Sequence, residues 1–326
     1  MINLFIYISA ILLMFIICIQ GGKATFKAPR KIKIISIIIY FLMILSTLFW
    51  GGAFIAAKLS APFIPPFTLT FLRFLIATLV LFFIIMIKEK NIYKLKKEDI
   101  PVFLFTGIVG MVGYHIFFFK ASTYTTATNS SLIAASNPII TCILSVIFLK
   151  DKLSSKGIIG IILSFTGVLL TITNGAIANI LNINFNKGDI LMIIAVLCWA
   201  SYGVFSKKVM PRYSPMTLTF YSFLFCTLFL IPFVIYEKPL SLINKVPYYS
   251  YISILYMSIF ASVIGYLVQQ ISIKQIGPSK TSIFVNLVPI FSIVLSSIIL
   301  GEEITIITLL STALIIAGVY ICQKSN

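Results

Sequence analysis

Two stretches of this chain are copies of one another, and any fold it adopts has to accommodate that duplication. Residues 123–154, TYTTATNSSLIAASNPIITCILSVIFLKDKLS, form an apolar run speckled with hydroxyls and amides, interrupted by Pro138 and closed by a charged turn. Residues 277–305, GPSKTSIFVNLVPIFSIVLSSIILGEEIT, repeat the plan, with Pro138 and Pro289, Leu144 and Leu295, Ser145 and Ser296, and Leu149 and Leu300 all 151 apart. The register extends outward. Trp50 and Trp199, Lys58 and Lys207, Pro66 and Pro215, and the tetrad TLTF at 68–71 and 217–220 are 149 apart. Gly113-Tyr114 and Gly265-Tyr266 are 152 apart, and Gly167-Val168 and Gly318-Val319 are 151 apart. Chance does not supply so many shared registers, so the chain is two copies of one unit.

The unit belongs in a bilayer. Charged residues make up 10% and hydrophobic ones 60% of the 326 residues, whereas soluble domains carry about 25% charge. Apolar runs of about 20 residues recur, the length that carries a helix across a hydrocarbon core of about 30 Å. They are continuous rather than alternating, which excludes a barrel and leaves helices, the other structure that satisfies its backbone in lipid. Ten spans are expected, near 34–57, 67–87, 101–120, 124–148, 156–174, 188–206, 217–236, 248–272, 279–299 and 304–322. Residues 1–20 read as an uncleaved extra helix or a loosely held segment, joined by a basic linker to a first repeat at 34–174; a loop at 175–187 leads to the second at 188–322.

The formal charge of +17 does not point to nucleic acid, because the basic residues are scattered through short loops. They sort by side instead: with the linker before span 1 inside, inner segments hold 19 Lys and Arg and outer ones 5, with Arg73 within span 2. The positive-inside rule then places the C-terminus in the cytoplasm. Five spans is an odd number, so the second repeat enters from the opposite side. Such an inverted repeat offers two nearly equivalent states open to opposite sides. The five cysteines lie in or at the ends of apolar runs with no metal or disulfide spacing.

The candidate site residues are few. None of the eight acids sits mid-span, so the buried carboxylate that commonly carries a coupling proton is missing. Arg73 lies about six residues, or about 9 Å, into span 2; it either snorkels to the boundary or meets an anionic substrate group. His115, the one histidine, is a hydrogen-bonded core residue or a proton carrier. Their repeat counterparts are Ser222 and Leu267. Asn129, Ile133, Ser136 and Asn137 share a helix face, as do Ser282, Asn286 and Pro289, and the two stripes are expected to face each other. Pro138 and Pro289 break their helices at matching depths, a pointer to a transporter's binding site. Trp50, Tyr114, Trp199, Tyr202 and Tyr266 offer aromatic surface for a planar substrate or for helix packing. Small residues at Gly160, Ser164 and Gly167, echoed by Ala313, Ala317 and Gly318, are expected to let helices approach closely.

With FWGGAFIAAK and PPFTLTFLRF in spans 1 and 2, ASTYTTATNSSLIAASNPIITCILSVIFLKDKLS in spans 3 to 5 and LLSTALIIAGVYI in span 10, the chain resembles the EamA family of the drug/metabolite transporter superfamily across roughly residues 36–322. That resemblance implies ten helices in two five-helix repeats and export or exchange of small metabolites, amino acids in some members, through a central cavity. The expected protein is thus an all-α polytopic transporter of the plasma membrane working by alternating access. Its partners are a small-molecule substrate and the lipid bilayer, without nucleic acid, cofactor or metal. Trp50, Arg73, His115, Asn129, Asn137, Trp199, Tyr202, Ser282 and Asn286 are the candidate substrate contacts. A drug or nucleotide-sugar carrier, or a channel or scaffold without alternating access, is the alternative. A membrane-embedded enzyme is disfavoured by one histidine and scattered acids.

Overall fold

The structure is a computed structural model that describes residues 29–88, 94–149, 155–172, 175, 186–238, 246–276, 281, 284–285 and 287–324. The segment 1–20, Ser282 and Asn286 lie outside the described residues. Helix follows the long apolar runs, and the turn residues between them set the ends. The helices are α1 (Pro29–Ser60), α2 (Pro66–Lys88), α3 (Lys97–Tyr124), α4 (Ala127–Ala134), α5 (Asn137–Leu149), α6 (Ser155–Ile172), α7 (Lys187–Val209), α8 (Pro215–Glu237), α9 (Tyr248–Gln275), α10 (Val288–Leu300) and α11 (Ile306–Lys324).

Starts and stops have local causes. Thr126, Asn186 and Ser214 cap α4, α7 and α8, each side-chain oxygen accepting from a backbone N–H two or three residues on. Proline opens α8 at Pro215, where its missing N–H costs nothing. Gly301 ends α10 with φ +68°, a left-handed conformation suited to glycine. The two expected helix breaks occur just ahead of their prolines. The chain turns at Ala135–Ser136, and Pro138 then falls in the first turn of α5. Pro289 likewise falls in the first turn of α10 after Leu287. In a first turn a proline starts a helix rather than kinking one.

Seven described segments are long and apolar enough to cross a membrane, α4 and α5 together making one of them, with α10 and Ile306–Gly318 as shorter apolar helices. Large apolar side chains such as Phe83, Ile87, Ile162, Ile298 and Leu309 point away from the bundle, a surface that suits lipid and not water. The stretches expected as spans 5, 9 and 10 contain α6, α10 and α11.

The two repeats are interwoven. Helix α1 packs on α9 and α10 while its repeat counterpart α7 packs on α3, α4 and α5; α2 packs on α9 while its counterpart α8 packs on α3; and α2 and α8 pair with each other. The first two helices of each repeat are therefore seated on the third and fourth of the other. Helices α6 and α11 pair at the side, where a Cβ on Gly167 would meet Ile315 Cγ1 at 2.8 Å and the Ser311 carbonyl at 2.9 Å. The face α11 presents there is that of Ser311 and Ile315, whereas Ala313 and Ala317 are exposed.

Two helices are not α-helical throughout. Residues Thr106–Gly113 of α3 and Met257–Tyr266 of α9 are π-helical, and they correspond in the 152-residue register. Such widened turns frequently mark functional sites.

Candidate functional site

The side chain of Arg73 leaves α2 for the interior. It is 3% exposed. Its Nε donates to Ser262 Oγ over 2.7 Å, Nη1 lies 3.9 Å from Met257 Sδ, and the guanidinium sits 5.6 Å from the Phe74 ring centroid. Of the two readings open to the sequence, the snorkelling one does not describe this geometry. At the matching place in the other repeat, Ser222 Oγ donates to Thr106 Oγ1 over 2.8 Å. A neutral pair thus serves the same helix contact there, and the cation is an addition peculiar to the first repeat.

Around Arg73 the repeats meet in an aromatic cavity of about 30 Å³, also lined by Trp50, Tyr114, Trp199 and Tyr266, with Ala134, Val285 and Val288 among its apolar walls. That is room for one or two waters. Trp50 is fixed by its indole N–H, which donates to the Ala261 carbonyl of the π-helical stretch over 3.0 Å. The contact depends on Gly265, because a Cβ there would lie 2.5 Å from Trp50 Nε1. Trp50 meets Trp199 edge to face at 6.1 Å and Tyr266 at 6.2 Å, and Tyr114 lies 5.4 Å from Trp199. Ring edges against ring faces satisfy the quadrupoles and hold the walls.

The remaining candidates fall around this centre. Tyr202 is fully buried behind it, its hydroxyl accepting from Gln270 Nε2 at 2.8 Å and its ring lying where Gly110 leaves space. His115 is fully buried with Nδ1 2.8 Å from the Met111 carbonyl and its ring edge-on to Phe74 at 4.6 Å; it does not line the cavity. Asn137 Nδ2 donates to the Val196 carbonyl on α7 at 3.5 Å, one turn before Trp199. Asn129 lies half-buried on α4, its backbone N–H taken by the Thr126 cap. The stripes of spans 4 and 9 were expected to meet through Asn129, Asn137, Ser282 and Asn286. Ser282 and Asn286 being outside the described residues, the described contacts between these spans include Thr128 Oγ1 with Ser296 Oγ at 3.0 Å and Ser292 Oγ donating to the Ala127 carbonyl at 3.5 Å.

Sequence reasoning missed the partners Ser262, Met257 and Ala261, and also the polar closures at the two ends. At one end, Glu302 accepts from the Ala127 and Thr128 N–H groups and from Thr128 Oγ1, while Glu237 accepts from the Phe67 and Thr68 N–H groups and from Thr68 Oγ1. Each carboxylate from the second repeat thereby caps a positive helix N-terminus of the first. Lys58 Nζ donates to the Thr125 carbonyl and Thr125 Oγ1 to Asp189 beside them. At the other end, buried Asp99 accepts from Tyr213 Oη at 2.7 Å and pairs with Arg212 at 2.9 Å. A threonine at each of those helix starts, Thr68 and Thr128, was the available signal. A larger space of about 460 Å³ opens near Lys120 and Lys187, but it lies at the Glu302 end and away from the tryptophans and helix breaks. Among the described residues no group of His, Cys, Asp or Glu could hold a metal.

The EamA-like transporter family matches the chain twice, over residues 37–173 and 186–322. The chain is 33% identical to the "Uncharacterized transporter YyaM" of Bacillus subtilis (strain 168), across 86% of this chain and 92% of that one. It is 31% identical to an "Uncharacterized transporter" of Archaeoglobus fulgidus, over 88% of this chain and 99% of that one. It is 28% identical to the "Probable amino-acid metabolite efflux pump" of Salmonella typhimurium, over 86% and 93%. A solved crystal structure superimposes with a TM-score of 0.62 at 18% identity, covering 87% of this chain and 96% of that one, a likeness of fold. With the family matched in both halves, this chain belongs to the EamA-like transporters, polytopic proteins of the membrane.

Proposed function

We propose that this protein exports or exchanges small metabolites, such as amino acids and their relatives, across the plasma membrane by alternating access. Ten helices in two inverted repeats cross the bilayer, with the C-terminus and the Asp99 end in the cytoplasm and the Glu302 end outside. The observation that carries the reading is the aromatic cavity around Arg73, buried where the two repeats meet and level with the paired helix breaks. Interwoven inverted repeats support alternation, since a shift of one repeat's helices against the other's would open the cavity at one end while closing it at the other. The Salmonella relative's name supports a metabolite substrate. No described carboxylate lines the cavity, which supports transport without a proton carrier.

Counterflow in proteoliposomes tests this without assuming an energy source. Vesicles loaded with one unlabelled metabolite are expected to draw in the same labelled compound with saturation, and Trp199→Ala is expected to abolish it while folded protein remains. Absence of counterflow across amino acids, their keto and carboxylic acid relatives, drugs and nucleotide sugars, with folded protein in the vesicles, would overturn the carrier reading in favour of a channel or scaffold.

A further inference from the structure

The cavity contains a charge that no acidic side chain among the described residues balances. The ionisable groups whose charge would interact with Arg73 include Tyr266, Tyr114, Cys226, Tyr256 and His115, none of them a carboxylate. The described acids lie at the bundle's ends, Glu98 and Asp99 at one and Asp189, Glu237, Glu302 and Glu303 at the other. A buried guanidinium without a counter-charge is costly, and the packing of this helix pair does not require one, since Ser222 at the matching position joins α8 to α3 through Thr106 without charge. Part of the fork is used: Nε is bonded to Ser262, and Nη1 has only a long contact to sulfur. The remaining N–H groups match the planar, bidentate geometry of a carboxylate. Around them the walls are flat aromatic faces, and the Trp50 indole N–H is already engaged with Ala261.

We infer that the substrate is a small monocarboxylate with an aromatic or branched apolar body, its carboxylate serving as the counter-charge of Arg73. This narrows, and rests on, the transport reading above. One cation balances one negative charge. An anion with two phosphates would bring a surplus into the site, and a zwitterion would leave the cavity net positive with no acidic side chain among the described lining residues to receive its ammonium.

The chain's two tryptophans both line the cavity, so intrinsic tryptophan fluorescence of the full-length protein in nanodiscs reports on this site. Titration with phenylacetate, phenylalanine and phenethylamine holds the skeleton nearly constant while the charge runs from anion through zwitterion to cation. The expected result is saturable change with phenylacetate at an affinity at least tenfold above phenylalanine, and no saturation with phenethylamine. Arg73→Gln should weaken phenylacetate at least tenfold, and Arg73→Lys should recover part of that loss. Arg73→Met, of similar length and without charge, should keep or raise the melting temperature while abolishing binding, which separates the ligand role from a folding role. Equal affinities across the three compounds, no saturable binding of phenylacetate, or indifference to Arg73→Gln would overturn the inference. Counterflow with the same compounds separates the two readings. Exchange of phenylalanine that survives Arg73→Gln leaves the carrier standing and the inference refuted; phenylacetate binding without any exchange does the reverse.

Discussion

Glu302, in the turn after α10, accepts a hydrogen bond of 2.7 Å from Thr128 Oγ1 at the start of α4 and one of 3.1 Å from the Thr128 backbone N–H. The two residues come from opposite repeats, so the contact joins the halves at one end of the bundle. Hydrogen bonds to a charged group are worth about 1.5–3 kcal/mol, and about 1.4 kcal/mol is tenfold in an equilibrium. On the alternating-access reading, Glu302→Gln should raise the fraction open at this end by about tenfold. The check is labelling of an Ala134→Cys probe, in a background lacking the native cysteines, by an impermeant thiol reagent added outside. Unchanged labelling would show that the contact caps a helix without holding the end closed.

Gly265 and Gly203 predict opposite outcomes for the same substitution. A Cβ on Gly265 would lie 2.5 Å from Trp50 Nε1, whereas one on Gly203 would meet nothing within 4 Å. Overpacking costs about 1–3 kcal/mol, so Gly265→Ala should lower the melting temperature and displace Trp50, seen as a shifted tryptophan emission. Gly203→Ala should be neutral or stabilising by up to about 1 kcal/mol, from helix propensity.

The α6–α11 pair lies to the side of the cavity, and its tight point is Gly167 against Ile315 and Ser311. Gly167→Leu should therefore reduce the yield and melting temperature of folded protein while leaving counterflow per folded molecule within about twofold of the parent. A larger fall per folded molecule would assign this pair a part in the transport cycle.

Asp99 is fully buried and accepts from Tyr213 Oη at 2.7 Å. Tyr213→Phe removes this hydrogen bond to a charged group, at an expected cost of about 1.5–3 kcal/mol. Thermal unfolding in detergent checks this, and Asp99→Asn combined with Tyr213→Phe should cost less than the sum of the single changes because the two share one contact.

A monocarboxylate carried alone moves one negative charge, and 100 mV acting on one charge amounts to about 2.3 kcal/mol. In proteoliposomes clamped at 100 mV inside-positive with potassium and valinomycin, a poorly permeant aromatic monocarboxylate, hippurate, should accumulate up to about 50-fold. Reversal of the potential should expel it. Indifference to potential, with counterflow intact, would mean that a compensating ion travels with the substrate.

Much was legible in the sequence because it lives in one-dimensional pattern. Apolar runs of bilayer length dictate helices, since backbone groups in lipid have no other local partners. The registers of 149 to 152 residues reveal the duplication, and Pro138 and Pro289 locate the breaks to within three residues. Of the aromatic residues singled out in the sequence, Trp50, Tyr114, Trp199 and Tyr266 line one cavity and Tyr202 lies in the wall behind it. What pattern does not encode is which long-range partner each face meets. Asn137 fits a stripe toward span 9 and its side chain also reaches the Val196 carbonyl on α7, while Thr128 with Ser296 and Ser292 with the Ala127 carbonyl are described contacts between spans 4 and 9 that the stripe did not name.

By itself, then, the sequence determined that this is a duplicated, all-helical membrane protein with one arginine inside its apolar runs. Only the tertiary structure decided that the first two helices of each repeat lie on the third and fourth of the other, that Arg73 turns inward to Ser262, and that Trp50 binds the Ala261 carbonyl beside Gly265. The physical reason is that lipid is indifferent to which apolar face it meets. Helix partners inside a bilayer are chosen by close packing and a few hydrogen bonds between residues as distant in the chain as 73 and 262, and those choices leave no periodic trace in the chain.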